Sequence, residues 1–300
     1  MEVGEDLRVG FIVGVLGVII PFGSIFGITR AFSFSYTESI FIALSMSATS
    51  IAVSVQTLKE LDRLKENSVL IIIATIDDIV IIMSLSIFTA ITSSELSEIG
   101  ITIGRMVTFF IVLGAVVWYL RSYFIRMIRW LFRDEEDINI IVFAIIIGYS
   151  LVAEVGGKVS MITGAFIIGM ILRQTDLVIE DMSNSFFVTI FFATIGIFIN
   201  LRELQTESAI FGVVLIVGCI ITKIVSGFLG CMLFGNHWKK SLIIGIGMVG
   251  RGEVGLILAA QGLQSNIISS DIYTVLTLIV IITTIITPLM LRCFYHIVGN

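Results

Sequence analysis

Two adjacent aspartates, Asp77 and Asp78, interrupt a long apolar stretch that reads NSVLIIIATIDDIVIIMSLSIFTAI. A charge at the centre of a bilayer costs about 2.5–3.5 kcal/mol even on a lenient insertion scale, so such residues persist when they are paired, hydrated or functional. Neighbouring positions on a helix differ by about 100° in direction. One aspartate can therefore pair with a cation from another helix while the other faces a cavity.

Lys223 is the cation that the sequence offers to this aspartate pair. It lies within IVGCIITKIVSGFLGC, far from both ends of an apolar run, where its ammonium cannot easily reach an interface. A pairing with Asp77 or Asp78 would offset the desolvation of both groups. A lysine hydrated at a helix end is the other interpretation of this residue.

Two further apolar stretches carry polar interruptions. The first, LSMSATSIAVS, contains Thr49 and Ser50, and the second, GIGMVGRGEVG, contains Arg251 and Glu253. Membrane transporters bind ions where helices break at mid-membrane and expose their ends and backbone. Tight glycine packing and hydroxyls bonded to carbonyls of their own helix also account for the first stretch. Packing does not require a buried arginine and glutamate, so the second stretch favours a broken helix.

The composition predicts a membrane protein. Hydrophobic residues make up 57% and charged residues 14% of the 300 residues, and the mean hydropathy is +1.09. Soluble domains have about 45–50% apolar and about 25% charged residues. The net charge of -5 and the lack of a basic run predict no nucleic-acid partner. The three cysteines have no CxxC spacing, which argues against a disulfide scaffold or a zinc site.

The apolar runs predict about ten transmembrane helices, since a helix needs about 20 apolar residues to cross the hydrocarbon. The interrupted stretches fall in the middle helix of two triplets, 9–91 and 207–296, which is a weak internal symmetry consistent with an inverted repeat. The predicted helices are 9–29, 37–58, 68–91, 98–120, 138–154, 159–173, 186–200, 207–234, 240–262 and 271–296.

The basic residues predict the orientation. With ten spans both termini lie on one side, and most of the lysines and arginines between spans fall on that side. Only Arg30, Lys158 and Arg202 fall on the opposite side. Positive charge is retained on the cytoplasmic side, so we expect both termini in the cytoplasm and the chain in the cell inner membrane.

Five segments, in this order, resemble the second branch of the monovalent cation/proton antiporters, the Kef and Nap type sodium/hydrogen exchangers. They are SATSIAVSVQTLKEL, ATIDDIV, VAEVGGKVSMITGAFIIGMIL, FFVTIFFATIGIFINL and GMVGRGEVGLILA. The resemblance covers nearly the whole chain. It implies an all-α, polytopic membrane protein with an inverted-repeat antiporter fold and two crossing broken helices. Residues 1–300 would form a single exchanger domain, with core helices in 9–91 and 207–296 and linker and scaffold helices in 98–200.

The resemblance also implies a role for each residue at the aspartate pair. Asp78 would be the principal carrier, binding a proton and a monovalent cation in turn. Asp77 would pair with Lys223. Thr49 and Ser50 would lend hydroxyl and carbonyl oxygens from the unwound helix.

The second crossing helix matches the family less closely. Arg251 and Glu253 would stabilise it rather than carry ions, and Gly250 stands where relatives often have proline. Family members usually have about three more helices before the segment that begins here. Because this sequence carries no nucleotide-binding domain after the last apolar run, we expect it not to be one of the ligand-gated potassium-efflux members.

The expected function is exchange of a monovalent cation, Na+ before K+, for protons by alternating access. We expect no cofactor, no enzymatic activity, a homodimer, and lipid as the surrounding solvent. The alternatives are a non-transporting fragment of such an antiporter, a cation channel, and an intramembrane aspartyl protease. The protease needs aspartates from two separate helices, and the sequence has no GxGD-like motif.

Overall fold

The computed structural model describes residues 2–50, 52–63, 69–93, 135–157 and 206–298, with single residues between 104 and 123 and between 161 and 197. Every regular element in these ranges is an α-helix, so the all-α prediction is confirmed for them. The predicted helices 98–120, 159–173 and 186–200 lie mostly outside the described residues, and the total of ten remains a prediction. The helices are α1 Glu2–Ala31, α2 Tyr36–Ser47, α3 Ala52–Glu60, α4 Val69–Ser93, α5 Glu135–Gly157, α6 Thr206–Met232, α7 Trp238–Gly247, α8 Glu253–Gln264 and α9 Ser270–Val298.

Three helices of the described part are long and apolar enough to cross a membrane: Arg8–Ala31, Thr206–Met232 and Ser270–His296. Their outer faces carry large apolar side chains at helical spacing. Exposing such a surface to water costs free energy, whereas contact with lipid does not. On α6 this exposed stripe consists of Ile210, Val213, Val214, Val217, Ile221, Val225 and Leu229.

The chain forms two compact units. The first consists of residues 1–81 and 193–300, and the second of residues 82–192. Within the second unit, a Cβ added to Gly164 would lie 2.7 Å from the Cβ of Ala153, so the helix α5 contacts the segment around Gly164 closely. All the candidate site residues lie in the first unit.

Two of the predicted helices are broken in the middle, as the polar interruptions indicated. The predicted helix 37–58 is α2 and α3, separated by an extended backbone that starts at Ala48 (φ −61°, ψ 139°). The predicted helix 240–262 is α7 and α8, and its break ends at Gly252 (φ −145°, ψ −152°). The order of continuous, broken and continuous helix thus occurs twice, in α1–α4 and in α6–α9.

The first broken helix begins at a reciprocal cap. Ser35 Oγ accepts a hydrogen bond from Glu38 N at 3.2 Å, and Glu38 Oε2 accepts one from Ser35 N at 2.9 Å. This capping box satisfies two backbone donors that a helix start leaves free. In the preceding turn the Arg30 guanidinium lies over the ring of Tyr36, 4.0 Å from its centroid. The entry of the chain into α2 is therefore fixed by local contacts.

Glycines bring α6 and α7 into backbone contact. A Cβ added to Gly227 would lie 2.6 Å from the Cα of Gly245, and a Cβ added to Gly245 would lie 2.5 Å from the carbonyl oxygen of Ile224. Small residues allow such close approach between membrane helices. The contact fixes the end of α7, and hence the second break, beside the turn of α6 that carries Lys223.

The Gly245→Ala variant is expected to lose stability, because its Cβ would press on backbone rather than on a flexible side chain. We expect the free energy of unfolding in detergent to fall by about 1–3 kcal/mol. The Gly23→Ala variant is the control, since nothing lies within 4 Å of its added Cβ and alanine favours the helix. Equal stabilities of the two variants would show that α6 and α7 do not touch in this way.

Candidate functional site

The ammonium of Lys223 is fully buried on α6 and reaches three different elements. Its Nζ lies 2.7 Å from the carbonyl oxygen of Gly17 on α1 and 3.3 Å from both carboxylate oxygens of Asp77 on α4. It also donates a short hydrogen bond to the hydroxyl of Thr49 in the first break. An ammonium has three N–H donors and no acceptor, so these three groups match its donors in number.

Asp77 is the aspartate that lies against Lys223, and it too is fully buried. The same ammonium donates to the hydroxyl of Thr49, so the lysine connects Asp77 with the first break. The residue types alone left open which aspartate pairs with the lysine, and the geometry selects Asp77.

Asp78 has a different environment from its neighbour. Its Oδ1 is buried and has no hydrogen-bond partner among the described residues. The charges that act on its carboxylate are the repelling Asp77 and Glu253 and the attracting Lys223. Leaving a buried carboxylate oxygen without a partner costs free energy. The site is thus electrostatically suited to receive a positively charged species.

The two breaks cross each other, and three hydrogen bonds hold the crossing. As the residue number rises along the first broken helix, it falls along the second, so the two chains run antiparallel through the contact. The bonds run from Ser45 Oγ to Gly255 O at 2.7 Å, from Ser50 N to Gly250 O at 2.8 Å, and from Ser54 Oγ to Gly247 O at 2.7 Å. Residue 252 must be glycine in this geometry, because a Cβ there would lie 2.2 Å from the Cβ of Ser50.

Arg251 is fully buried and ties the crossing to its neighbours. Its guanidinium donates to the carbonyl oxygens of Ala48 and Cys219, each at 3.1 Å. Its backbone is held by α9, where Thr283 Oγ1 accepts from the Arg251 N–H at 3.3 Å and Thr284 Oγ1 donates to the Arg251 carbonyl at 2.7 Å. The side chain and backbone of one residue therefore connect both breaks with α6 and α9.

Glu253 is exposed, so the expectation that it is buried together with Arg251 was wrong. Glu253 begins α8, where the free N–H groups of the first turn favour a carboxylate. The guanidinium of Arg251 bonds to two carbonyl oxygens rather than to Glu253. Oε2 of Glu253 is 3.4 Å from the hydroxyl of Ser50, which donates to it. Glu253 thus lies on the Asp78 side of the crossing.

Several contributors to the site were not singled out from the sequence. Gly17 acts through its carbonyl, which no side-chain type indicates. Thr283 and Thr284 bond to the backbone of Arg251 in the second break. They also bond to carbonyls of their own helix, as threonines in membrane helices commonly do. The one available signal was the position of Gly17, four residues before Pro21 in an apolar helix.

Residues 2–295 match the family model described as the transmembrane sodium/hydrogen exchanger. The chain belongs to the sodium/hydrogen exchanger family. It is similar to the Na(+)/H(+) antiporter of Enterococcus hirae, with 29% identity over 299 residues that cover 95% of this chain and 76% of the relative.

Two proteins of Bacillus cereus are comparably similar to this exchanger-family chain. The probable Na(+)/H(+) antiporter GerT is 30% identical over 302 residues, covering 98% of this chain and 80% of the relative. The Na(+)/H(+)-K(+) antiporter GerN is 30% identical over 303 residues, covering 97% and 76%. The family predicted from the five sequence segments is confirmed.

The Arg251→Lys variant of this exchanger is expected to unfold more easily, because a lysine ammonium cannot reproduce the planar fork that reaches Ala48 and Cys219. We expect a loss of about 2–3 kcal/mol, as for hydrogen bonds from a charged donor. Arg292→Lys is the matched control, since Arg292 forms an exposed ion pair with Glu60 at 2.6 Å, a class worth about 0–1 kcal/mol. Similar losses in the two variants, measured by thermal unfolding in detergent, would contradict the bridging role.

Proposed function

We propose that this protein is a secondary active transporter that exchanges a monovalent cation, Na+ before K+, for protons across the cell inner membrane. The observation that carries the proposal is the unpartnered Asp78 oxygen beside a fully paired Asp77 and Lys223. The relatives' names, which include Na(+)/H(+) antiporters and a Na(+)/H(+)-K(+) antiporter, support the same exchange.

The charge balance of the cluster makes Asp78 the natural site of competition. Two buried cations, Lys223 and Arg251, balance Asp77 and Asp78 when both aspartates are ionised, and the exposed Glu253 adds one negative charge near Asp78. A proton or a monovalent cation on Asp78 then adds the same single positive charge. Because both occupants bind the same carboxylate, each excludes the other, and this exclusion couples their movements.

The cation would bind to oxygens near Asp78, beside the crossing. Asp78 supplies a carboxylate. Glu253 at the start of α8 adds a second carboxylate nearby, and Ser50 in the first break donates to it. The hydroxyl of Thr49 accepts from Lys223, so we assign Thr49 to orienting the ion pair rather than to binding the cation. Arg251 keeps a structural role, as the family resemblance implies.

Alternating access would move the broken helices and α4 together around this fixed site. We propose that the second unit, residues 82–192, belongs to the scaffold, and that the protein works as a homodimer. The distribution of lysine and arginine supports cytoplasmic termini. The bilayer is the solvent that the exposed apolar faces of the helices require.

The geometry is a poor fit to proteolysis. An intramembrane aspartyl protease holds one water between aspartates from two helices, whereas Asp77 and Asp78 are adjacent on α4. Asp77 also lies 3.3 Å from Lys223. The pair is therefore divided between an ion pair and a free carboxylate, an arrangement that suits transport.

The Asp78→Asn variant is expected to abolish exchange, since an amide does not take up a proton and has no negative charge with which to bind a cation. The measurement is the change in lumenal pH of proteoliposomes after a jump in external Na+, K+ or Li+. Asp271→Asn is the control, because the new amide oxygen can still accept the hydrogen bond that Ser208 Oγ donates to Asp271 Oδ2 at 2.6 Å. Undiminished exchange in Asp78→Asn would overturn the proposal, and a signal that does not saturate with cation would indicate a channel.

Competition for one carboxylate also fixes the sign of the pH dependence. As the pH falls, protons occupy Asp78, and the KM for Na+ is expected to rise by about tenfold per pH unit at the acidic end. The kcat stays unchanged, since saturating Na+ displaces the proton. A KM that is independent of pH, or a kcat that falls while KM stays constant, would show that proton and cation use separate sites.

A further inference from the structure

The chain has two prolines, and both lie inside apolar helices, Pro21 in α1 and Pro288 in α9. Proline has no backbone N–H, so it cannot donate to the carbonyl four residues earlier in the helix. For Pro21 that carbonyl belongs to Gly17. Within a bilayer no water replaces the missing donor, and a freed carbonyl must find another donor inside the protein.

The donor that Gly17 finds is the ammonium of Lys223, at 2.7 Å from its carbonyl oxygen. The other acceptors of that ammonium are Thr49 and Asp77. The lysine has three N–H donors to satisfy and no water to receive them, since its side chain is fully buried. The Gly17 carbonyl, which lacks its donor within α1, therefore accepts the third N–H of the lysine.

Gly17 also provides the room for this contact. A Cβ added to it would lie 2.4 Å from Cε of Met248, 3.8 Å from Oδ1 of Asp77 and 4.0 Å from Nζ of Lys223. The backbone of α1 thus passes directly beside the ion pair. A glycine followed four residues later by a proline presents a bare carbonyl at this point.

We propose that Pro21 is a positioning residue for the ion pair: by withholding a backbone N–H, it reserves the Gly17 carbonyl for Lys223 and so holds the ammonium against Asp77. An alanine at position 21 would place its own N–H on the same carbonyl. The ammonium would then share that acceptor, and a charged donor with an incomplete set of acceptors is costly in a dry interior.

The competing explanation is that Pro21 merely bends α1, as prolines in helices do. A thermodynamic cycle separates the two, because an effect that acts through Lys223 must vanish when the charge is gone. The neutral background should be Asp77→Asn with Lys223→Met, since removing only one partner would strand a buried charge. Pro288→Ala is the matched control, a proline of the same kind on a helix that makes no hydrogen bond to Lys223.

The experiment measures the thermal unfolding of the purified full chain in detergent. Pro21→Ala is expected to lower the Tm by about 3–6 °C in the native background and to leave it unchanged or raised in the neutral background. Pro288→Ala should shift the Tm equally in both backgrounds. An equal loss from Pro21→Ala in both, or no loss in the native one, would overturn the proposal.

A second variant decides the matter even where the neutral background does not fold. Lactic acid at position 21, the ester analogue of alanine, has neither the proline ring nor an N–H. If the missing donor is what matters, this variant keeps the Tm to within about 1 °C of the native protein, whereas Pro21→Ala does not. If it falls as far as Pro21→Ala, the ring is what matters and the proposal is wrong.

The two readouts keep this proposal separate from the proposed function. Cation/proton exchange should fall by about tenfold in Pro21→Ala and recover in the ester variant, as expected when one hydrogen bond to a charged group is lost. A native chain that shows no exchange would contradict the proposed transport, while the Tm cycle would still decide the role of Pro21.

Discussion

The structure of the first unit depends on burying the charge of Lys223. Its ammonium has no exposure, and its acceptors are a carbonyl of α1, a hydroxyl in the break between α2 and α3, and a carboxylate of α4. Removing one partner of a buried ion pair costs far more than the pair itself contributes. Four elements must therefore keep their mutual positions for as long as the lysine carries its charge.

The broken helices impose a second constraint of the same kind. Each break frees backbone groups in a region without water, and every such group needs a partner within the protein. The two breaks bond to each other through the Ser50 N–H and the Gly250 carbonyl. The side chain of Arg251 and the threonines of α9 bond to further backbone groups of the breaks. Most of the described polar groups of the crossing are thus bonded to one another or to α9, which lets the crossing move as one piece.

With those groups satisfied, Asp78 differs from the other charges of the cluster in what it lacks. Among the described residues, Asp77 lies against Lys223, and Arg251 donates to two carbonyls although its Nε has no partner, whereas Oδ1 of Asp78 is a buried acceptor without a partner. One carboxylate therefore stabilises the fold and its neighbour can exchange its occupant. Two identical residues acquire different properties because successive side chains on a helix point in different directions.

The sequence by itself determined the fold class, the family, both helix breaks and a buried lysine paired with one of two aspartates. Placing a polar or charged residue in the membrane costs free energy, and the sequence alone shows where this happens. The positions of such residues therefore predict pairing or function. The family resemblance implied Asp77 as the partner of Lys223, and the structure places Nζ of Lys223 3.3 Å from Oδ1 of Asp77. Only the tertiary structure decided that Glu253 is exposed and that the Gly17 carbonyl completes the lysine's set of acceptors. The physical reason is that residue types do not show in which direction a side chain leaves its helix or which backbone carbonyl is available as an acceptor. They become definite only when the neighbouring helices are packed in place.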